Sequence, residues 1–186
     1  MLNLLMLVIP SLLLASPHSA ASSNLDDTCI NRVPQPVPGK VSVHNRCMYD
    51  VWIRVLGIPE GNGPFQIRRG QKYEGSIYPA TSGISLQVAA DMGSTVQFQY
   101  KAIPEFDFSY YAIDFRSCLK DRNASDCPGW QYGVRAFCGT HESVACGPGE
   151  YCTKVAYFND KTEYPAHSCR NVKDKGMVFE LCWINE

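Results

Sequence analysis

Nowhere in these 186 residues do apolar side chains recur at spacings of three and four across ten positions, so no long amphipathic helix is expected. Charge of one sign is missing as well: 17 basic residues stand against 18 acidic ones, a formal net charge of -1. A surface without a dominant field offers nothing to nucleic acid or to an anionic membrane, and Arg68-Arg69 is too short a basic run to change that. No nucleic-acid partner and no membrane partner is expected. Disorder is excluded in turn, because 45% hydrophobic and 11% aromatic residues suffice for one packed domain of this length.

The familiar catalytic signatures are also absent. No Gly-x-Ser-x-Gly elbow presents a serine, no Cys/His arrangement resembles a protease, and no Cys-x-x-Cys pair supports redox exchange. The nearest approach to zinc-ligand spacing is Cys138-x-x-His141 with Cys146 and Cys152. Structural zinc sites use paired short spacings, and secreted thiols are usually oxidised. His44 and His167 have no ligand partner visible in the sequence. No metal and no cofactor are expected.

What the chain does have is cysteine: nine, at 29, 47, 118, 127, 138, 146, 152, 169 and 182. Such a load calls for an oxidising compartment. The N-terminus agrees. Leu2 to Ala15 is apolar except for Asn3, Pro10 and Ser11, and Ser19-Ala20-Ala21 gives the small-residue pattern of a cleavage site. The run falls short of the roughly 20 residues that span a bilayer. No Lys or Arg precedes it, a departure from the usual leader. Residues 1–21 therefore read as a secretion signal peptide, with a secreted, extracellular protein starting near Ser22.

Residues 22–39 form a proline-rich lead-in, with Pro34, Pro36 and Pro38 favouring extended chain. From Lys40 the apolar period becomes two. Val41, Val43 and Asn45 share one face, as do Val51, Ile53 and Val55. Ile84 to Val88 and Val96 to Tyr100 alternate in the same way. Further strands are expected over Phe65–Arg68, Lys72–Ile77, Tyr110–Phe115, Tyr132–Phe137 and Met177–Trp183. Gly, Pro, Asn or Asp punctuates nearly every gap, so the fold class is mainly β, a sandwich of two packed sheets. Cys118 to Cys169 differs, with six cysteines in 52 residues and little periodicity. It reads as cysteine-rich loop material stapled by disulfides onto one domain spanning 40–186.

Lys40-Val-Ser-Val-His-Asn-Arg-Cys47 followed by Asp50-Val-Trp-Ile-Arg-Val55 resembles the opening strand pair of thaumatin-like proteins. Ser109-Tyr-Tyr-Ala-Ile-Asp-Phe115 is similar to their tyrosine-rich strand. The small fungal branch, the Blastomyces yeast-phase-specific antigen family, is resembled more closely. Its Tyr-x-Pro-x-x-x-Gly segment resembles Tyr78-Pro79-Ala80-Thr81-Ser82-Gly83, which is one residue shorter between Tyr and Pro, and its Gln-Phe-x-Tyr strand corresponds to Gln97 to Tyr100. The resemblance implies a thaumatin-like β-sandwich closed by a Cys47–Cys182 bridge. It implies little about activity in the fungal branch, while plant relatives are associated with β-glucan binding through an acidic cleft. Fold alone does not carry that activity across.

Proximity in sequence suggests Cys118–Cys127, with Cys138, Cys146, Cys152 and Cys169 forming two further bridges in an open pattern. Cys29 is then the odd one: a free thiol, a dimer bridge, or a partner that displaces another assignment. Asn123-Ala-Ser125 is the only N-glycosylation sequon. Glycoside cleavage needs two carboxylates about 5–9.5 Å apart. Asp91, Glu105, Asp107 and Asp114 could converge between hairpins, though solvated surface carboxylates are the simpler reading. Tyr110, Tyr111, Trp130 and Tyr132 lie near turns, where exposed rings stack on sugars. Tyr110 and Phe115 are assigned to the core, and Asp91, Asp114 and Trp130 are the candidate binding residues. The expected protein is a non-enzymatic, monomeric module, acting at a cell wall or host surface as a carbohydrate-binding protein, antigen or effector. β-Glucan or host proteins are its partners. The alternatives are a weak β-glucan hydrolase using cleft carboxylates, and an enzyme-inhibitor scaffold.

Overall fold

A computed structural model describes residues 33–184 except residues 60, 80, 81, 92, 141 and 160–164. The expected leader, most of the lead-in, Cys29 and His141 lie outside the described residues. Twelve strands form two sheets: β1 (Lys40–Asn45), β2 (Val51–Leu56), β3 (Asn62–Ile67), β4 (Lys72–Ser76), β5 (Ile84–Ala89), β6 (Thr95–Ile103), β7 (Phe108–Asp114), β8 (Val134–Cys138), β9 (Glu142–Cys146), β10 (Ala156–Tyr157), β11 (His167–Arg170) and β12 (Met177–Leu181). Among the described residues one turn of α-helix, α1, covers Val172–Lys175, and 3-10 turns cover Pro104–Phe106 and Trp130–Tyr132.

The five-stranded sheet runs β4-β1-β12-β8-β9; the seven-stranded one runs β10-β7-β6-β5-β2-β3, with β11 also on β7. The first and last strands pair in parallel at the centre of the smaller sheet, Val43 beside Phe179 and Asn45 beside Leu181. Alternation does the sorting. Val51, Ile53 and Val55 are buried while Trp52, Arg54 and Leu56 face outward, and β5, β6 and β12 supply Leu86, Phe98 and Phe179 to the same core. The sheets meet where Phe98 stacks on Phe179, ring centroids 4.7 Å apart.

The Asn-x-Cys opening has a physical reason. Asn45 is buried, and its amide donates to the carbonyls of Tyr49 and Ile67 at 2.8 and 2.9 Å. Its side-chain oxygen accepts from Cys47 N–H at 3.0 Å. One side chain thus satisfies three backbone groups at the β1–β2 corner, groups that would be costly to bury unpaired. Cys47 then bonds Cys182 at the end of β12. The other bridges are Cys118–Cys127, Cys138–Cys169 and Cys146–Cys152.

The cysteine-rich region is more than stapled loop. It contributes β8 and β9 to the smaller sheet and β10 and β11 to the larger one. Cys138–Cys169 ties β8 to β11, and so joins the two sheets covalently. No helix among the described residues is long and apolar enough to cross a membrane.

Candidate binding groove

The outer face of the seven-stranded sheet takes the other half of each alternation. Register aligns Leu56, Ser85, Gln99 and Ala112 in one rung, and Arg54, Gln87, Gln97 and Asp114 in the next. Lys101 and Tyr110 face each other on the other side of the first rung. Over the Gln99 and Lys101 rungs lies a groove of about 360 Å³ whose lining includes Leu56, Ser85, Gln99, Lys101, Tyr110, Ala112 and Tyr157. Its wall depends on a close approach. Gly57 has φ +91, and a Cβ there would stand 2.4 Å from the carbonyl oxygen of Gly83, so only glycine fits.

Hydrogen bonds set the polar groups. Ser85 Oγ donates to Gln97 Oε1 at 2.9 Å. Gln99 Nε2 donates to Gln97 Oε1 at 3.2 Å and to Asp114 Oδ2 at 3.1 Å. Gln97 Nε2 reaches Ser117 Oγ. At the far end Tyr100 receives a hydrogen bond from Tyr78 N–H on its hydroxyl at 3.3 Å, and burial pushes that phenol up to about 12.

The four carboxylates that could have converged between hairpins do not. Asp91 lies in the β5–β6 turn and Glu105 and Asp107 in the β6–β7 turn, at opposite ends of a nine-residue strand. A strand of that length spans about 30 Å. Asp91 is exposed, and accepting hydrogen bonds from Gly93 and Ser94 N–H holds its carboxyl below the usual range. Asp114 is only 2% exposed, and Arg116 binds both its oxygens, through Nε at 3.0 Å to Oδ1 and Nη2 at 2.7 Å to Oδ2. It orients Gln99 and Arg116 and is not open to a substrate. The Val88–Val96 and Ala89–Thr95 pairs separate its level from the Asp91 turn.

Trp130 requires a correction. It is 7% exposed and meets Phe115, Phe158 and Tyr151 at 5.5, 5.6 and 4.8 Å, so its ring is core and not a stacking platform. Tyr110 requires the opposite one. Tyr111, Ile113 and Phe115 point inward, which turns Tyr110 outward, 46% exposed. The residues that sequence reasoning missed are Gln99, Lys101, Ser85 and Tyr157. For Ser85 and Gln99 the signal was the run of uncharged polar side chains on the outward positions of β5 and β6; Lys101 and Tyr157 had none.

No group of three His, Cys, Asp or Glu side chains able to hold a metal occurs among the described residues. Cys138 is engaged by Cys169, which removes it from any zinc set. The sequon residue Asn123 lies in an exposed turn, its side-chain oxygen accepting from Ser125 N–H at 2.9 Å.

No protein-family model and no curated protein matches the sequence. Solved structures do. The protein elicitor MoHrip2 from Magnaporthe oryzae is similar over 77% of this chain and 98% of its own, with TM-score 0.58 and 19% identity. The thaumatin-like xylanase inhibitor TLXI is similar over 78% of this chain and 99% of its own, with TM-score 0.54 and 12% identity. The chain has the thaumatin-like fold.

Proposed function

We propose that the protein is a secreted, non-catalytic binding module whose outer-sheet groove holds a saccharide chain at a cell wall or host surface. The observation that carries this reading is the groove's lining: tyrosines, glutamine and serine, with no carboxylate among the described residues. Exposed rings flanked by fixed polar groups suit pyranose faces and hydroxyls. Hydrolysis would need two free carboxylates across the bond, and of the four candidates Asp91, Glu105 and Asp107 lie in turns at opposite ends of β6 while Asp114 is engaged by Arg116. Short motifs like those of the Blastomyces antigen family, and a sequon at exposed Asn123, support a glycosylated fungal surface or secreted protein. β-Glucan is the first polymer to test.

A second reading, an effector or enzyme-inhibitor scaffold, draws on one observation. Phe106 is 79% exposed at the tip of the β6–β7 hairpin, an aromatic side chain offered to a protein pocket. The two similar structures are named as an elicitor and a xylanase inhibitor, which fits either reading.

The test is sedimentation of the secreted, glycosylated protein with insoluble β-1,3-glucan, chitin and cellulose, scored for bound protein and released reducing sugar. Retention without release is expected, and Tyr110→Ala should abolish it. Sugar release would overturn the non-catalytic reading, and no retention on any polymer would leave the protein-binding one.

A further inference from the structure

The groove carries charge of one sign. Lys101 is the single charged residue in its described lining. It is exposed and makes no ion pair among the described residues. On the same outer face Arg54 is also exposed and without an ion pair among the described residues. The one carboxylate on these rungs, Asp114, is already neutralised by Arg116. Glu105 lies in the β6–β7 turn, past the end of β6 at Ile103, and Asp91 lies beyond the opposite end of β6.

We propose that the groove selects acidic saccharides, chains bearing uronate carboxylates, over neutral ones. This rests on the saccharide reading of the same groove. The Lys101 ammonium donates to a carboxylate in a charge-assisted hydrogen bond, about twice as strong as a neutral one. Tyr110, directly across from Lys101 in register, supplies the ring face. Both described hydrogen bonds of Gln99 use its amide nitrogen, which leaves its carbonyl oxygen to accept from a sugar hydroxyl. Arg54 lies two strands over and four residues down from Lys101, about 16 Å away by strand geometry. A chain of several sugars reaches both cations, whereas a monosaccharide reaches one, so affinity should rise with chain length.

Calorimetric titration of the full secreted protein with polygalacturonate, with laminarin as a soluble neutral β-glucan and with glycol chitosan as a cationic polymer separates the outcomes. Polygalacturonate should bind at least about fivefold more tightly than laminarin, and Lys101→Gln should remove that advantage. Lys101→Arg should keep it, Lys154→Gln away from the groove should not touch it, and about 0.5 M salt should weaken it. Unchanged thermal midpoints would show that the variants fold. Laminarin binding as tight as polygalacturonate, or a loss with Lys154→Gln equal to that with Lys101→Gln, overturns the selectivity while leaving the saccharide reading in place. Failure of all three polymers to bind overturns both.

Discussion

Arg46 Nε lies 2.8 Å from Oε1 of Glu180, a side chain with no exposure at all. Arg135, across the β8–β12 pairing, holds the other oxygen, and its guanidinium is packed over Trp183 at 5.1 Å and Phe137 at 5.5 Å. A carboxylate buried between two cations is costly to bring out of water, and more costly to remove once the cations are in place. Glu180→Gln should therefore lower the unfolding free energy by about 3–5 kcal/mol. Urea unfolding reads this directly; an unchanged midpoint and slope would mean that the clamp contributes nothing to the sandwich.

The neighbouring outward position on β1 of the five-stranded sheet gives a pH dependence. His44 stands on β1 opposite Glu180, and its imidazole is lowered from 6.5 to about 4, by burial first, then by Lys72 and Arg46. The folded chain therefore favours neutral His44, while the unfolded chain takes up a proton near 6.5. Stability is full above that pH and falls as the pH drops toward 4, by of order 1–3 kcal/mol once partial exposure is discounted. His44→Gln should flatten the stability profile between pH 6.5 and 4. A variant profile as steep as the parent's would assign the loss to other groups.

Much of the sandwich was legible because one face of each strand is buried. β1, β2, β5 and β12 begin where the period-two pattern begins, at Lys40, Val51, Ile84 and Met177. β9, β10 and β11 were not legible. Glu142–Cys146 has no clean alternation, and Ala156–Tyr157 is two residues paired only through a distant partner, Ile113–Asp114. Tyr110 shows the limit at the site. Adjacent tyrosines in Tyr110-Tyr111 give no local sign of which faces the core, and the choice follows from Ile113 and Phe115 further along β7. The groove itself needs strands far apart in sequence, so Lys101 and Tyr157 could not be brought into one lining from the sequence.

Trp130 and Tyr110 now separate stability from binding. Removing the buried Trp130 ring from its contacts with Phe115, Phe158 and Tyr151 should cost about 3–5 kcal/mol. Tyr110→Ala removes an exposed ring, so its thermal midpoint should move little while polysaccharide retention is lost. If instead Trp130→Ala folded with unchanged stability and failed to bind, that ring would be part of the site after all.

The disulfides should differ in worth according to the loops they close. Cys47–Cys182 spans a separation of 135 residues and fastens the β1–β2 corner to the end of β12. Cys146–Cys152 spans 6 and closes only the turn after β9. In the chain-entropy description a cross-link restricts the unfolded state in proportion to the logarithm of loop length, which gives about 5 kcal/mol for the long loop and about 2 kcal/mol for the short one. Residual unfolded-state order and the three remaining bridges reduce both figures, but not their order. Paired serine substitutions at Cys47 and Cys182 should therefore lower the urea midpoint more than the same change at Cys146 and Cys152. The short bridge also sits beside Trp183, whose indole donates to the Cys146 carbonyl at 3.3 Å, so near-ultraviolet circular dichroism should report its loss. A larger midpoint shift at Cys146 and Cys152 would show that the turn after β9, and not the joining of first strand to last, limits the fold.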